Sequence, residues 1–150
     1  MGFFKNISDS IMKGKDALLA EVSKFKNESF MEAIVSSCVL IAAADGNISA
    51  EEKQKLLAYV QQAEELKAFS TEDIIKVFNK ISSSYEFDSS IGKAEALKLV
   101  NRVKKSDEQA RLVVRVSIAI ANADGNFDES EKKALAEICN ELGLNVSDFI

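Results

Sequence analysis

Apolar residues recur along most of this chain at intervals of three, four or seven positions, which is the spacing of one face of a helix. No stretch alternates between apolar and polar residues in the way that is typical of a half-buried strand, and the sequence contains no proline. The pattern therefore predicts an all-α fold of about seven helices, packed as a single compact domain over residues 1–150.

Two segments, residues 33–42 and 112–121, are apolar on almost every side of the predicted helix. A helix of that kind is normally buried at the centre of a protein, because no side of it favours water. We therefore expect two central helices that contact each other, with Val35 and Val114 buried.

Helix starts are indicated by serine and aspartate side chains that can accept hydrogen bonds from the first free backbone amides. Residues of this kind that precede apolar helical segments are Ser29, Ser70, Asp88 and Ser106. The three serines at residues 82–84 predict the end of the helix that opens at Ser70, and the helix that opens at Asp88 is expected to reach about Lys105. Gly143 is expected to end the last long helix.

Each central helix leads into a short acidic loop, and the two loops have nearly the same sequence. The first reads Ala-Asp-Gly-Asn-Ile-Ser from residue 44 onward, and the second reads Ala-Asp-Gly-Asn-Phe-Asp from residue 123 onward. An internal repeat of this kind predicts two helix-loop-helix units, at about residues 29–67 and 106–146, that are related by a pseudo-two-fold axis.

Turn and capping chemistry explains most of each loop without any ligand. The glycine of each loop suits the positive φ that often ends a helix. Ser49 with Glu52 in the first loop, and Asp128 with Glu131 in the second, have the spacing of a capping box at the start of the next helix. A plain helix-turn-helix is therefore one interpretation of the repeat.

Cation binding is the other interpretation, because oxygen-bearing side chains recur at alternate positions, as they do in loops that wrap Ca²⁺. The loops are not EF-hands. Counted from Asp45 or Asp124 as the first position, glycine stands at the second position rather than the sixth, and glutamate at the eighth rather than the twelfth. The bound metal would be Ca²⁺ or another divalent cation, and no other cofactor is expected. The candidate ligands are Asp45, Asn47, Ser49 and Glu52 in the first loop and Asp124, Asn126, Asp128 and Glu131 in the second.

Residues 1–27 form a mildly basic arm on an otherwise acidic chain, whose net charge is −5. Within the arm, residues 3–26 have the spacing of an amphipathic helix with a phenylalanine-rich apolar face and lysines on its polar face. Packing of the apolar face on the rest of the protein is the favoured interpretation. The alternative is peripheral contact with a membrane surface, which suits a helix with those two faces.

Composition narrows the chemistry that this chain can perform. The sequence has no histidine, which removes the usual general base and the commonest transition-metal ligand and so disfavours a hydrolase or a zinc site. Nucleic acid is not expected as a partner, because phosphate binding needs clustered lysine and arginine, which this acidic chain does not provide. Two cysteines, Cys38 and Cys139, fall in apolar helical patterns, so we expect buried thiols rather than a disulfide.

The expected location is the cytoplasm. No apolar run reaches the ~20 residues of a membrane-spanning helix, and no signal peptide with an apolar centre and a small-residue cleavage site is visible.

Short motifs along the chain resemble the tellurite-resistance TerB family in their order and spacing. They are Gly2-Phe3-Phe4, Phe30-Met31, Asp45-Gly46 followed by Glu51-Glu52-Lys53-Gln54-Lys55, Glu64 with Leu66-Lys67, Phe78-Asn79-Lys80, Glu86-Phe87-Asp88, Ile91-Gly92-Lys93, and Asp124-Gly125 through Glu131-Lys132. The resemblance implies an all-helical, cytoplasmic tellurite- and stress-resistance protein with internal pseudo-two-fold symmetry. It also implies metal ligands at Asp45, Glu52, Asp124 and Glu131.

The resemblance further implies partners, namely an integral-membrane protein of the TerC type and calcium-binding proteins of the TerD type, which extends the expected location to the inner face of the membrane. Since the family has no established reaction, three interpretations of the function stay open. In the first, the chain is not an enzyme but an acidic, cation-binding adaptor that docks on those partners. In the second, Cys38 or Cys139 supplies a thiol for redox handling of tellurite, which an acidic body and apolar surroundings disfavour. A helical co-chaperone domain is a third option, based on analogy of fold alone.

Overall fold

The structure is a computed structural model that describes residues 27–44, 69–121 and 128–150, together with residues 50 and 54. All regular elements in those residues are helical and none is a strand, so the predicted all-α class is confirmed. The elements, in chain order, are α1 (Glu28–Ala42), α2 (Thr71–Phe87), α3 (Ser89–Asn101), α4 (Asp107–Ala121), α5 (Glu129–Glu141) and a 3₁₀ helix (Val146–Asp148).

Several predicted features fall outside the described residues. They are the arm of residues 3–26, most of both acidic loops, and most of the helix predicted after the first loop. The total of about seven helices, the single domain over residues 1–150 and the pseudo-two-fold symmetry therefore stay predictions. None of the helices that the structure describes is long and apolar enough to cross a bilayer.

Helix α1 lies at the centre and contacts each of the other four described α-helices. Its apolar side chains are buried on every side, and Phe30, Val35 and Val39 expose none of their surface. One of its neighbours is α4, where Val114 is likewise fully buried, so the predicted contact between the two central helices is confirmed. Full burial of a large aliphatic or aromatic side chain stabilises a fold by about 1.5–3 kcal/mol, which is why so apolar a helix lies inside.

Three buried serines interrupt the apolar packing of α1 and α2. The hydroxyls of Ser36, Ser37 and Ser82 have no hydrogen-bond partner in the described part of the chain. The buried hydroxyl of Ser117 in α4, in contrast, donates to the carbonyl oxygen of Val113 at 2.8 Å. Each unpaired buried hydroxyl reduces the free energy of unfolding by roughly 1–3 kcal/mol. Burial of the apolar side chains around these serines offsets that cost.

The predicted N-caps are confirmed for three helices and wrong for one. The side-chain oxygens that accept hydrogen bonds from first-turn amides of α2, α3 and α4 belong to Ser70, Asp88 and Ser106. The predicted cap at Ser29 is wrong, because α1 begins at Glu28 and the side-chain oxygen of Asn27 accepts from the amide of Phe30 at 2.8 Å. Asparagine caps a helix as well as serine does, and Asn27 comes first in the chain.

A single non-helical residue, Asp88, joins α2 to α3 and caps both of them. The predicted end of α2 at residues 82–84 is wrong, because the helix continues to Phe87. Serine is tolerated inside this helix since the hydroxyl of Ser84 donates to the carbonyl oxygen of Lys80 at 3.2 Å, one turn earlier. The corner between α2 and α3 is therefore as short as two helices allow.

The far ends of α3 and α5 lie together. Helix α3 ends at Asn101 rather than near Lys105, and residues 102–105 form turns. The side-chain amide of Asn101 donates to the carboxylate of Glu141 at 2.8 Å, which links the last turns of the two helices. Gly143 follows α5 with a φ of 72°, so the predicted glycine at the end of the last long helix is confirmed.

Gly92 allows α3 to lie close against α2, because Tyr85 of α2 packs directly on its Cα. A Cβ added to Gly92 would lie 2.5 Å from two ring carbons of Tyr85 and 2.7 Å from the Tyr85 Cα. Cβ atoms essentially never approach other heavy atoms this closely, and the Tyr85 Cα is backbone that cannot rotate away. The close approach of the two helices therefore requires glycine at this position.

Replacement of Gly92 by alanine is expected to destabilise the protein by about 1–3 kcal/mol, because the added methyl group overpacks the corner. Helix propensity alone predicts the opposite sign, since alanine is favoured over glycine inside a helix by about 1 kcal/mol. Urea unfolding of wild type and Gly92→Ala measures the difference, with Lys98→Ala at an exposed position of α3 as the control. A Gly92→Ala protein at least as stable as the wild type would contradict the prediction.

Candidate functional site

Two of the predicted cation ligands, Asp128 and Glu131, lie among the described residues. Those outside them are Asp45, Asn47, Ser49, Glu52, Asp124 and Asn126. Where the chain is described, no group of three or more aspartate, glutamate or cysteine side chains is placed to hold a metal ion. The cation site in the loops therefore stays a prediction.

Asp128 and Glu131 form the capping box that the sequence predicted at the start of α5. The Oδ1 of Asp128 accepts hydrogen bonds from the backbone amide of Glu131 at 2.8 Å and from the hydroxyl of Ser130 at 2.9 Å. In return, the Oε1 of Glu131 accepts from the amide of Asp128 at 3.2 Å. The Glu131 amide, followed by the Ser130 hydroxyl, lowers the pKa of Asp128, so this carboxylate is ionised at neutral pH.

The capping role predicts how Asp128 variants behave in EDTA. Asp128→Ala is expected to destabilise the protein by about 1 kcal/mol, whereas Asp128→Asn should be nearly silent at neutral pH because asparagine caps as well as aspartate. The pKa of Asp128 is lower in the folded chain, so its charge-dependent stabilisation is present above the ordinary aspartate pKa of about 4 and is lost as the pH falls through the folded-state pKa.

Wild type should therefore lose stability relative to Asp128→Asn as the solution is made acidic. Urea unfolding of the three proteins across the acid range measures both effects. An Asp128→Ala protein as stable as the wild type would rule out the cap as a stabilising feature.

Both cysteines are confirmed as buried, and neither forms a disulfide. Cys38 exposes 3% of its surface and Cys139 exposes 1%. Burial raises the pKa of the Cys139 thiol to about 11, so very little of the reactive thiolate form is present at neutral pH. The packing of both side chains disfavours their direct reaction with a dissolved oxyanion.

A cavity of about 280 Å³ lies where the end of α1, the α2–α3 corner and the first turns of α5 come together. Leu40, Ala43 and Ala44 form its apolar side. Its polar side consists of hydroxyl, ammonium and carboxylate groups from the other helices, namely Tyr85, Ser89, Ser90, Lys93, Ser130, Lys133 and Glu137. Residues that are far apart in the sequence thus meet at one concave polar site.

Among the described residues, the lining of this cavity carries two lysines and one glutamate. The Nζ of Lys93 lies 2.6 Å from the Oε2 of Glu137. Lys133 has no hydrogen-bond or ion-pair partner within the described residues. Burial, and secondarily the charge of Glu137, raises the pKa of Tyr85 to about 12, so its hydroxyl remains a proton donor at neutral pH.

The cavity was not predicted from the sequence, although a short motif marks it. Residues 88–93 and residues 128–133 both read Asp-x-Ser-x-x-Lys. In each copy the aspartate caps a helix and accepts a hydrogen bond from the motif's own serine hydroxyl, while the serine and the lysine line the cavity. Two copies of one motif that place a lysine at the same position of two helices are a signal that could have identified the site.

A family model described as "Tellurite resistance protein TerB" matches residues 31–150 of the chain. The chain belongs to the TerB family. The TerB match begins inside α1 and includes both cysteines and all residues that line the cavity. Residues 1–30, with most of the predicted amphipathic arm, lie outside it.

A TerB relative is also found among characterised proteins. The "Tellurium resistance protein TerB" of Alcaligenes sp. is 39% identical to this chain over 118 residues, which are 79% of this chain and 97% of the relative. No solved structure matches the chain. The resemblance to TerB is therefore confirmed, and family membership supports a role in tellurium resistance.

Proposed function

We propose that this chain acts in tellurite resistance as a non-enzymatic adaptor whose two acidic loops bind a divalent cation. The observation that carries the proposal is that described residues flanking both loops line the same cavity. Ala44 directly precedes Asp45, and Ser130 lies two residues after Asp128. Since consecutive Cα atoms are about 3.8 Å apart, the first loop leaves α1 close to the place where the second loop enters α5.

Carboxylates from two loops on one side of a protein repel each other unless a counterion lies between them. A divalent cation removes that repulsion, and it is bound by the carboxylate and amide oxygens that both loops contain. Asp128 supports the proposal because its capping bonds keep it ionised. The cation is Ca²⁺ or another divalent ion, and its proposed ligands are Asp45, Asn47, Ser49, Glu52, Asp124, Asn126, Asp128 and Glu131.

The adaptor would act in the cytoplasm, including the inner face of the membrane. Its proposed partners are those that the resemblance implies, an integral-membrane protein of the TerC type and calcium-binding proteins of the TerD type. The apolar face of residues 3–26 would provide peripheral membrane contact. A non-enzymatic role is supported by the absence of histidine from the sequence and by the burial of both thiols.

Thermal melting with calcium and with EDTA tests the cation site. A ligand that binds only the folded protein raises its melting temperature by mass action, with about 2.7 kcal/mol gained at one hundred times the Kd. Calcium should therefore raise the melting temperature of the wild type, and Asp124→Asn and Asp128→Asn should reduce that shift while leaving the melting temperature in EDTA nearly unchanged. The matched control is Asp148→Asn, which removes the same charge from an exposed residue outside the loops.

Magnesium is tested in parallel, because the loops do not specify which divalent cation they prefer. Equal melting of the wild type in EDTA, in millimolar calcium and in millimolar magnesium would refute the cation site. The loops would then be turns and helix caps alone.

Paired cysteine variants distinguish the adaptor from thiol-dependent handling of tellurite. Cys38→Ser with Cys139→Ser places hydroxyls in buried apolar sites, so we expect a loss of stability of roughly 1–3 kcal/mol for each hydroxyl that lacks a partner. Cys38→Ala with Cys139→Ala adds no polar group and should retain more stability. Tellurite resistance in cells should follow the stability of each variant, measured by thermal melting of the purified protein.

A double alanine variant that is stably folded yet confers no tellurite resistance would contradict the adaptor proposal. That result would assign a chemical role to the thiols.

A further inference from the structure

The two Asp-x-Ser-x-x-Lys motifs place equivalent groups around one cavity from two different helices. Lys93 and Ser90 approach it from α3, while Lys133 and Ser130 approach it from α5. Each serine hydroxyl donates to the capping aspartate of its own motif, so the serines are held in place by the helix starts. The duplicated motif thus fixes the position of the first turns that carry the two lysines.

Several donors in the cavity are not used by contacts among the described residues. The Lys133 ammonium and the hydroxyls of Tyr85 and Ser89 have no partner within the described residues. The ammonium of Lys93 has three N–H groups, of which the contact with Glu137 needs only one. The cavity therefore offers hydrogen-bond donors from four side chains, two of them cationic.

The charge of the lining also points to an anion. Among the described residues of the lining, two lysines face one glutamate, which leaves one positive charge in excess, although the chain as a whole has a net charge of −5. Glu137 does not cancel this charge at Lys133, because its carboxylate is engaged by Lys93 at 2.6 Å. Inside the cavity, as distinct from the loops proposed to bind a divalent cation, a cation would meet the ammonium groups of Lys93 and Lys133, and an apolar ligand would leave the donors unsatisfied.

We propose that this cavity binds a small oxyanion between Lys93 and Lys133, with the hydroxyls of Tyr85 and Ser89 as further donors. Its volume of about 280 Å³ lies below the range that is usual for drug-sized ligands, so the ligand is compact. Inorganic phosphate and tellurite share the required chemistry, which is several oxygens that accept hydrogen bonds around a small charged centre. Oxyanion binding in this cavity does not require the divalent cation that is proposed for the acidic loops.

Binding is measured by titration of the full-length, ¹⁵N-labelled protein with sodium phosphate and, separately, with potassium tellurite. All samples contain EDTA and are held at constant ionic strength. Oxyanion binding is thereby measured without any cation bound to the acidic loops, so the tests of the two sites are independent. Saturable shifts of the backbone amides of Tyr85, Ser89 and Lys133 are expected with at least one of the two anions. The anion that saturates at the lower concentration identifies the preferred ligand.

Matched lysine variants test the site itself. Lys93→Gln and Lys133→Gln should each weaken binding about tenfold, as expected for the loss of one charged hydrogen bond. Lys98→Gln in α3 and Lys132→Gln in α5 remove the same charge from exposed lysines that do not line the cavity, and they should leave the affinity unchanged. Tyr85→Phe should weaken binding by a smaller factor without altering the net charge.

Two results would overturn the proposal. One is the absence of saturable shifts with both anions at millimolar concentration. The other is equal weakening by Lys132→Gln and Lys133→Gln, which would show only diffuse attraction of anions to the protein surface. The four lysine variants change exposed side chains, so each should fold, and thermal melting verifies this before titration.

Discussion

The burial of α1 on all sides is the constraint on which the other described helices depend. A helix with apolar residues around its whole circumference is stable in water only when other elements cover every side of it. Here α2, α3, α4 and α5 provide that cover, and each of them contacts α1 directly. Their own amphipathic faces are thereby oriented inward, which leaves the charged residues and the helix ends at the surface.

Hydrophobic spacing was sufficient to predict the helical class, the central position of α1 and its contact with α4, because burial is decided by the summed apolar character of many residues. Helix boundaries depend on single hydrogen bonds and were predicted less well. At the start of α1, Asn27 and Ser29 are both good caps. Which of them is used depends on where the backbone first takes up helical dihedral angles. In α2, Ser84 satisfies its hydroxyl inside the helix, so a run of serines that would suit a loop does not end it.

The cavity could not be predicted from periodicity, since it forms where three separate parts of the chain meet. The sequence does contain the Asp-x-Ser-x-x-Lys motif that positions the two lysines of the cavity. The second copy of this motif overlaps the second acidic loop at Asp128. One aspartate thus belongs both to the cap that orders α5 and to the loop proposed to hold a cation. Family membership relates the chain to tellurium resistance, and the cavity lined by Lys93 and Lys133 is the place where we propose that an oxyanion binds.

The one-residue corner at Asp88 also constrains how this sequence can vary in length. Each residue of a helix advances the chain by about 100° around the helix axis, so one residue inserted between Asp88 and Gly92 would rotate all later side chains of α3 by that angle. Ala96, Leu99 and Val100, which are buried against α1 and its neighbours, would then turn away from the core. Insertions and deletions should therefore be rare at this corner during evolution, while substitutions remain common at its exposed positions.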